Sequence, residues 1–412
     1  MKAVVFTLGC KVNECESDSL ISGLKLRGYE VSDKLEKADL YIINTCAVTA
    51  EAEKKSRQTA SRVYKLNPNA PVYFTGCACQ KNPDNFTDKK NAKLITGNFS
   101  KNKILDMLDN SGVKIFDEPK EFEELLPATT LRTRAYVKVQ DGCNNFCTYC
   151  IVPYLRGRCR SRNPQSVVEE INLLRPKETV INGINLSAYN YNGKNLSHLI
   201  NALKEVDTRI RLGSLEVGVI DDEFLTALKG LKNFAPHFHL SLQSGSDNVL
   251  KSMNRHYGAK EFIEKVDLIR EYFPDAGITT DIIVGFPTET EQDFVDTIKL
   301  VDRVRFSDIH PFIFSKRQGT KAYEMKDLSP DIKKARLQKL LAKKKECKDN
   351  FATMLKGKTL TVLFEEEKDG FFEGYSENYL RVYVKGNNLS NQIKKVRVLE
   401  PWFDGAIAEI IE

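Results

Sequence analysis

No run of apolar residues in this 412-residue chain approaches the roughly 18 that a membrane-spanning helix needs. The opening stretch, Met1-Lys-Ala-Val-Val-Phe-Thr-Leu-Gly-Cys10, lacks the h-region and cleavage site of a secretory signal. No internal repeat or low-complexity tract stands out, which argues against a solenoid or a disordered array. Neither sign of charge dominates, with 62 Lys/Arg against 56 Asp/Glu and a net charge of +6. These absences point away from a membrane protein and from an exported disulfide scaffold. A globular protein of the reducing cytoplasm is expected, with no membrane partner and no DNA partner. Ten cysteines in such a chain suggest metal binding or thiol chemistry. The length suits two or three domains.

The mild basic excess is unevenly spread. Residues 331–358 hold ten Lys/Arg against three Asp/Glu. A second basic knot is Arg156, Arg158, Arg160 and Arg162. Such patches suit a polyanionic partner, although a solvated helix face gives the same pattern.

The most informative stretch is Cys143-Asn-Asn-Phe-Cys147-Thr-Tyr-Cys150, three cysteines spaced C-x3-C-x2-C. A fourth local ligand is missing. Structural zinc sites are usually closed by four ligands, so three thiolates better suit an iron–sulfur cluster with one iron open to a small molecule. A zinc knuckle that borrows a distant ligand is the competing reading.

Residues 1–112 read as a parallel α/β sheet domain. Strands are expected at Ala3–Leu8, Asp39–Asn44 and Pro71–Thr75, and helices at Glu14–Gly28 and Thr49–Leu66. A cysteine follows each strand: Cys10, Cys46 and Cys77. Loops after parallel strands gather at one edge of the sheet, so these three thiols are expected to meet as a second triad. Cys79 competes with Cys77, and Cys15, Cys159 and Cys347 stay unassigned. The alternative is that each is a small buried core residue.

Residues 113–133, acidic and with Pro119 and Pro127, read as a linker. From 134 to 355 strand and helix patterns alternate. Strands are expected at Ala135–Gln140, Thr179–Gly183, Arg209–Glu216, His237–Gln243, Ile278–Val284 and Asp308–Phe314. Six such units suggest a partial (β/α)6 barrel, with active residues after the strands. A basic helix over 330–356 closes this region. Residues 356–412 turn to short β-rich runs, Thr359–Phe364, Phe371–Tyr375, Tyr379–Val384 and Lys395–Leu399, and read as a small all-β barrel.

The C-x3-C-x2-C loop, with Tyr149 before its last cysteine, resembles the signature of the radical S-adenosylmethionine (SAM) enzymes. That resemblance implies a 4Fe–4S cluster on Cys143, Cys147 and Cys150 whose open iron chelates SAM. Tyr149 and residues at strand ends are candidates for holding SAM: Gly183 and Asn185, Ser214 and Glu216, Gln243 and Ser244, and Asp281.

Further motifs narrow the resemblance. They are Thr7-Leu-Gly-Cys-Lys-Val-Asn13 with Glu16-Ser17, Asn44-Thr-Cys-Ala-Val-Thr49, Gly76-Cys-Ala-Cys-Gln80, and Gln140-Asp-Gly-Cys143. Arg156-Gly157 with Arg160-Ser-Arg162, Ser241-Leu-Gln-Ser-Gly-Ser246 and Thr280-Asp-Ile-Ile-Val-Gly-Phe-Pro-Thr-Glu289 complete the set. Together they resemble the methylthiotransferases, which convert a C–H bond to C–SCH3, and the resemblance spans essentially the whole chain. The C-terminal segment is similar to a TRAM domain, an RNA-binding module. Lys11-Val12-Asn13 and Gly374-Tyr-Ser-Glu-Asn-Tyr379 look like the branch acting on N6-threonylcarbamoyladenosine at position 37 of tRNA.

The resemblance implies two 4Fe–4S clusters, the second held by Cys10, Cys46 and Cys77, and two SAM per turnover. One SAM methylates sulfur at the second cluster. The other yields a radical that takes hydrogen from adenine C2, where the methylthio group is then placed. An anticodon stem-loop is the implied partner, with an electron donor such as flavodoxin or ferredoxin. Arg156, Arg158, Arg160, Arg162 and Arg317 are candidate phosphate contacts, and Tyr375 and Tyr379 candidate stacking residues. Those tyrosines equally suit a barrel core. Leu212-Gly-Ser-Leu-Glu-Val217 departs from the family's usual Ser-Ser-Ile-Glu-Pro. Phe314-Ser-Lys-Arg-Gln-Gly-Thr320 lacks the usual following proline. The alternatives are methylthiolation of isopentenyladenosine tRNA or of a ribosomal protein aspartate, or a zinc-stabilised RNA-binding protein without catalysis.

Overall fold

The N-terminal strands are buried on both faces, and their side chains alternate accordingly. Ala3 and Val5 of β1 (Lys2–Thr7) pack with Leu20, Ile21 and Leu24 of α1 (Lys11–Leu26). Val4 packs on the opposite side with Ala60 and Val63 of α2 (Ala50–Leu66). The structure, a computed structural model, describes residues 1–128 and 132–411. The chain divides into two units. The first comprises Met1–Pro176, Ile181–Asn195 and Ser315–Tyr323; the second comprises Lys177–Val180, Leu196–Phe314 and Glu324–Glu412.

In the first unit β1 joins β2 (Glu30–Ser32), β3 (Leu40–Thr45), β4 (Val72–Gly76), β5 (Ala92–Thr96) and β6 (Gly112–Lys114). The order is β2-β1-β3-β4-β5-β6, and every pair is parallel. Sequence order reverses direction between β1 and β3, and open parallel sheets bind ligands beyond the strands' carboxyl ends at such a point. The expected strands at 3–8, 39–44 and 71–75 are β1, β3 and β4, with small shifts at their ends. The short strands β2, β5 and β6 were not anticipated. Each has weak hydrophobic patterning, and β6 is exposed throughout.

Because β6 belongs to the sheet, the stretch 113–133 is no free linker. Glu123 accepts hydrogen bonds from the Ser100 amide at 2.9 and 3.1 Å, and Glu124 lies 2.7 Å from Arg162. Part of that stretch, 129–131, lies outside the described residues. The unit continues with β7 (Ala135–Asp141), which pairs antiparallel with β8 (Arg160–Ser161).

Strand β9 (Glu178–Gly183) passes from the second unit into the first. In the second unit follow β10 (Arg209–Leu212), β11 (Ser214–Leu215), β12 (His237–Leu240), β13 (Gly277–Val284) and β14 (Asp308–Ile313). The strand expected over 209–216 is therefore two strands. Ile210 bridges to Phe234, whereas Leu215 pairs with Leu240. The break falls at Gly213, where leaving a strand costs little. Strands β11 to β14 form one parallel sheet in chain order.

Five strands, β15 (Thr359–Lys368), β16 (Phe371–Ser376), β17 (Arg381–Val384), β18 (Ile393–Trp402) and β19 (Gly405–Ile410), close a barrel in the order β15-β16-β17-β19-β18. Strand β19 was not expected from sequence. A buried ion cluster docks this barrel. Glu178 pairs with Arg209 at 2.5 Å and Arg211 at 2.8 Å, and these donate to the carbonyls of Thr361 (2.8 Å) and Ser376 (2.9 Å).

The basic stretch is the helix Pro330–Met354, capped by Ser329. Many of its cations are paired within their own unit. Arg336 lies 2.5 Å from Glu289, Lys343 2.7 Å from Asp302, and Lys344 2.9 Å from Asp308. The expected polyanion patch is thus largely a neutralised packing surface. No helix among the described residues is long and apolar enough to cross a membrane.

Candidate metal and cofactor site

The first unit holds both cysteine triads. Cys10 is the N-cap of α1, just past β1; Cys46 follows β3; Cys77 opens the short helix α3 (Cys77–Lys81), just past β4. Three adjacent strands thus end in a thiol, two of them at the point where strand order reverses. Gly9, at φ +112°, lets the Cys10 turn lie against Cys46. A Cβ there would sit 2.9 Å from Cys46 Cβ and 3.0 Å from its Sγ.

Polar side chains brace each turn. Asn13 donates to the Leu8 carbonyl at 2.8 Å and the Thr45 carbonyl at 3.0 Å. The Ser56 hydroxyl engages both the amide and the carbonyl of Cys46 at 3.1 Å. Thr45 Oγ1 accepts from the amides of Ala78 (3.2 Å) and Cys79 (3.3 Å) and so fixes the start of α3. The Asn98 side chain lies 3.4 Å from Cys77 Sγ.

Cys46 and Cys77 are each 4% exposed, while Cys10 reaches the surface. Burial pushes the Cys46 thiol up to about 12, and the neighbouring Cys77 and Cys10 push the same way. Burial also raises the Cys10 thiol, against the pull of Arg156. Cys79, the competitor, is fully buried and lies 3.5 Å from Thr45 Oγ1. Cys15 and Cys347 are buried core residues, and Cys159 lies 3.8 Å from the Gly142 carbonyl.

Beside this triad lies a charge cluster that the sequence reading missed. Glu16, with a side chain 1% exposed, pairs with Arg156 at 2.8 Å, Lys138 at 3.0 Å and Lys101. Asp141 pairs with Lys138 at 2.5 Å and Arg156 at 3.2 Å. Three buried cations therefore face two carboxylates. Burial alone would raise Glu16, but Arg156, Lys101 and Lys138 outweigh it and hold its carboxyl well below the usual range.

The second triad sits on the loop after β7. Gly142, at φ +73°, opens the loop, and a Cβ there would lie 1.9 Å from the Arg158 carbonyl. The Cys143 amide donates to Gly157 and the Cys150 amide to Cys147, each at 3.0 Å. Cys147 is buried, while Cys143 and Cys150 are partly exposed. Asn185 Nδ2 lies 3.7 Å from Cys143 Sγ, and its own amide donates to Gln140 Oε1 at 2.7 Å. Gly183 abuts the same glutamine, so Gln140 couples the end of β9 to the cysteine loop. Burial raises the Cys143 thiol; the Asn145 amide and Asn185 donate to its sulfur and oppose that rise. Tyr149 is partly buried.

Among the described residues, no three His, Cys, Asp or Glu side chains are drawn tightly enough to hold a single metal ion. A cubane cluster takes one thiolate on each of three irons, so its ligands stand wider apart. Three soft donors, one turn glycine and amide donors aimed at sulfur fit such a cluster better than a zinc ion. Gly142→Ala is expected to fold but to lose at least half of the iron bound at this loop. Iron analysis after anaerobic reconstitution checks this.

The remaining SAM candidates lie in the second unit. Ser214 is exposed, and Glu216 pairs with Arg255 at 2.8 Å. Gln243 adopts φ +68° and bridges to β13. Ser244 is buried, 3.4 Å from Thr297 Oγ1, and Asp281 lies 3.4 Å from His239.

The arginines expected at RNA need correction. Arg156 is 1% exposed and fully engaged with Glu16, Asp141 and Asn13. Arg160 pairs with Glu118 at 3.1 Å, Arg162 with Glu124 and Glu170, and Arg317 with Glu53. All four are buried. Only Arg158 of the knot is exposed, lying over the Phe146 ring at 4.6 Å. Tyr379 is stacked between His237 at 4.2 Å and Tyr375 at 4.6 Å, so its ring faces are already occupied by protein.

Comparison with known proteins agrees with a radical SAM fold. Residues 137–301 fit the model of the Radical SAM superfamily, and residues 2–97 that of uncharacterized protein family UPF0004. The chain is 39% identical to the threonylcarbamoyladenosine tRNA methylthiotransferase MtaB of Thermotoga maritima, over 99% of this chain and 97% of that protein. It is 35% identical to the protein of that name from Bacillus subtilis, over 100% of this chain and 98% of the other. A tRNA-2-methylthio-N(6)-dimethylallyladenosine synthase of Thermoanaerobacter is 34% identical, over 98% and 92%. Among solved structures, the radical SAM methyltransferase TsrM of Kitasatospora setae shares the fold, with TM-score 0.56 at 13% identity over 78% of this chain and 77% of that one. With cysteine triads on both matched segments and full-length identity well above 30%, the chain belongs to the radical SAM methylthiotransferase family.

Proposed function

We propose that this enzyme methylthiolates C2 of N6-threonylcarbamoyladenosine at position 37 of tRNA. The observation that carries the substrate is the full-length similarity to proteins of that named activity, at 35% to 39% identity. The 34% similarity to dimethylallyladenosine synthases supports isopentenyladenosine tRNA as the second reading.

In this proposal Cys143, Cys147 and Cys150 hold the cluster that binds SAM, and Cys10, Cys46 and Cys77 hold a second 4Fe–4S cluster. When bound, these groups supply reductive cleavage of SAM and a methylated sulfur for transfer. The chain's own part is placement. Asn185 and the loop amides favour the thiolate form of Cys143. Burial of Cys46 and Cys77 keeps water from two sides of the second site, while the turn that carries Cys10 reaches the surface. Arg158 is the one arginine of its knot that remains exposed for a phosphate. Flavodoxin or ferredoxin is the proposed electron donor, and the cytoplasm the proposed location.

The test presents reconstituted enzyme and SAM with anticodon stem-loops carrying threonylcarbamoyladenosine, isopentenyladenosine or plain adenosine. Methylthio product is expected on the first alone, at least tenfold above the others. Product mainly on the second would move the chain to the other branch.

A further inference from the structure

The helix Val152–Arg156, which begins just after Cys150, ends against the supports of the other triad. The Leu155 carbonyl accepts from Asn98 Nδ2 at 3.0 Å, and Asn98 touches Cys77 Sγ. Arg156 Nη2 donates to Asn13 Oδ1 at 2.5 Å, and Asn13 ties together the chain just before Cys10 and just before Cys46. Its Nη1 reaches Glu16 Oε1 at 2.8 Å and Asp141 Oδ1 at 3.2 Å. Two consecutive residues at the end of this helix thus touch braces of all three distant thiols.

We infer that Arg156 is a positioning residue for the Cys10/Cys46/Cys77 site: its guanidinium locks the Asn13 brace and supplies the excess buried positive charge beside the three sulfurs. The inference rests on the proposal that this triad holds a cluster. Lys101, Lys138 and Arg156 outnumber Glu16 and Asp141, and no other described carboxylate pairs with these three cations. A set of three thiolates is anionic, and a buried neighbouring cation offsets that charge. Asn13, which Arg156 Nη2 holds at 2.5 Å, donates to the carbonyls of Leu8, two residues before Cys10, and of Thr45, one before Cys46. Only a planar fork can serve Asn13, Glu16 and Asp141 at once; a lysine keeps the charge and loses the brace. A purely structural ion cluster would need neither property at the sulfurs.

The test uses full-length protein bearing C143A, C147A and C150A, reconstituted anaerobically, so that any remaining cluster belongs to the other triad. Iron per chain and an EPR-monitored reduction midpoint are measured for this background and with R156M or R156K added. The background is expected to hold about four irons. R156M is expected to move the midpoint to more negative potential and to at least halve the iron. R156K is expected to restore the midpoint towards that of the background while iron stays reduced. An R156M midpoint and iron content equal to the background overturns the inference. If R156M does not fold, R156K decides, and an iron content equal to the background overturns it. A background without iron sinks the second-cluster proposal itself, and the inference with it.

Discussion

Cys147→Ala is expected to reduce both SAM cleavage and methylthio product to background, whereas Cys10→Ala keeps SAM cleavage and loses only the product. The asymmetry follows from position. Cys147 is a buried thiol in the centre of the C-x3-C-x2-C loop, flanked by backbone bonds that fix the loop. Two thiolates cannot replace three on a cluster that must also keep an open iron. Cys10 stands at a different strand end, beyond β1, as the N-cap of α1. Its loss leaves the SAM site assembled. Assay of 5′-deoxyadenosine and methylthio product on the same sample separates the two roles. Methylthio product from Cys10→Ala at the wild-type level would show that the strand-end triad has no part in sulfur transfer.

Glu16→Ala is expected to destabilise the protein by about 3–5 kcal/mol, because among the described residues it leaves buried Lys101 with no carboxylate and Lys138 and Arg156 with Asp141 alone. An exposed ion pair would be worth under about 1 kcal/mol, so burial decides the size of the effect. The pH dependence has a definite sign. The folded carboxyl is held well below its ordinary value, by Arg156, Lys101 and Lys138 against burial. Its contribution is therefore complete above the unfolded pKa of about 4.3 and is lost as pH falls towards the folded value. Urea unfolding of the apoprotein should show the full wild-type advantage at pH 7 and a shrinking one below about pH 4. A variant within about 0.5 kcal/mol of wild type at pH 7 would contradict this view of the cluster.

Glu16 and Asn13 also mark where sequence ends as a guide. Both stand in a motif that the family resemblance picked out, and both read there only as markers. Their partners lie far along the chain: Lys101 is 85 residues from Glu16, Lys138 122 and Arg156 140. No local period encodes such pairings. By contrast, the position of Cys10, Cys46 and Cys77 just past three parallel strands was legible, because each follows a short apolar run that reads as a buried strand. The arginine knot misled for the opposite reason. Positive charge in sequence is visible, but its neutralisation by Glu118, Glu124 and Asp141 appears only in space. Strand β19 and the break at Gly213 escaped because short strands carry weak patterns. Tyr375 and Tyr379 kept two open readings from sequence, and their stacking with His237 favours packing.

The most direct measurement is mass spectrometry of tRNA nucleosides from cells with and without this gene. Loss of the 2-methylthio form of threonylcarbamoyladenosine, with the unmethylthiolated nucleoside accumulating in its place, is the predicted result. An unchanged nucleoside profile in cells with no second enzyme of this activity would contradict the proposed substrate.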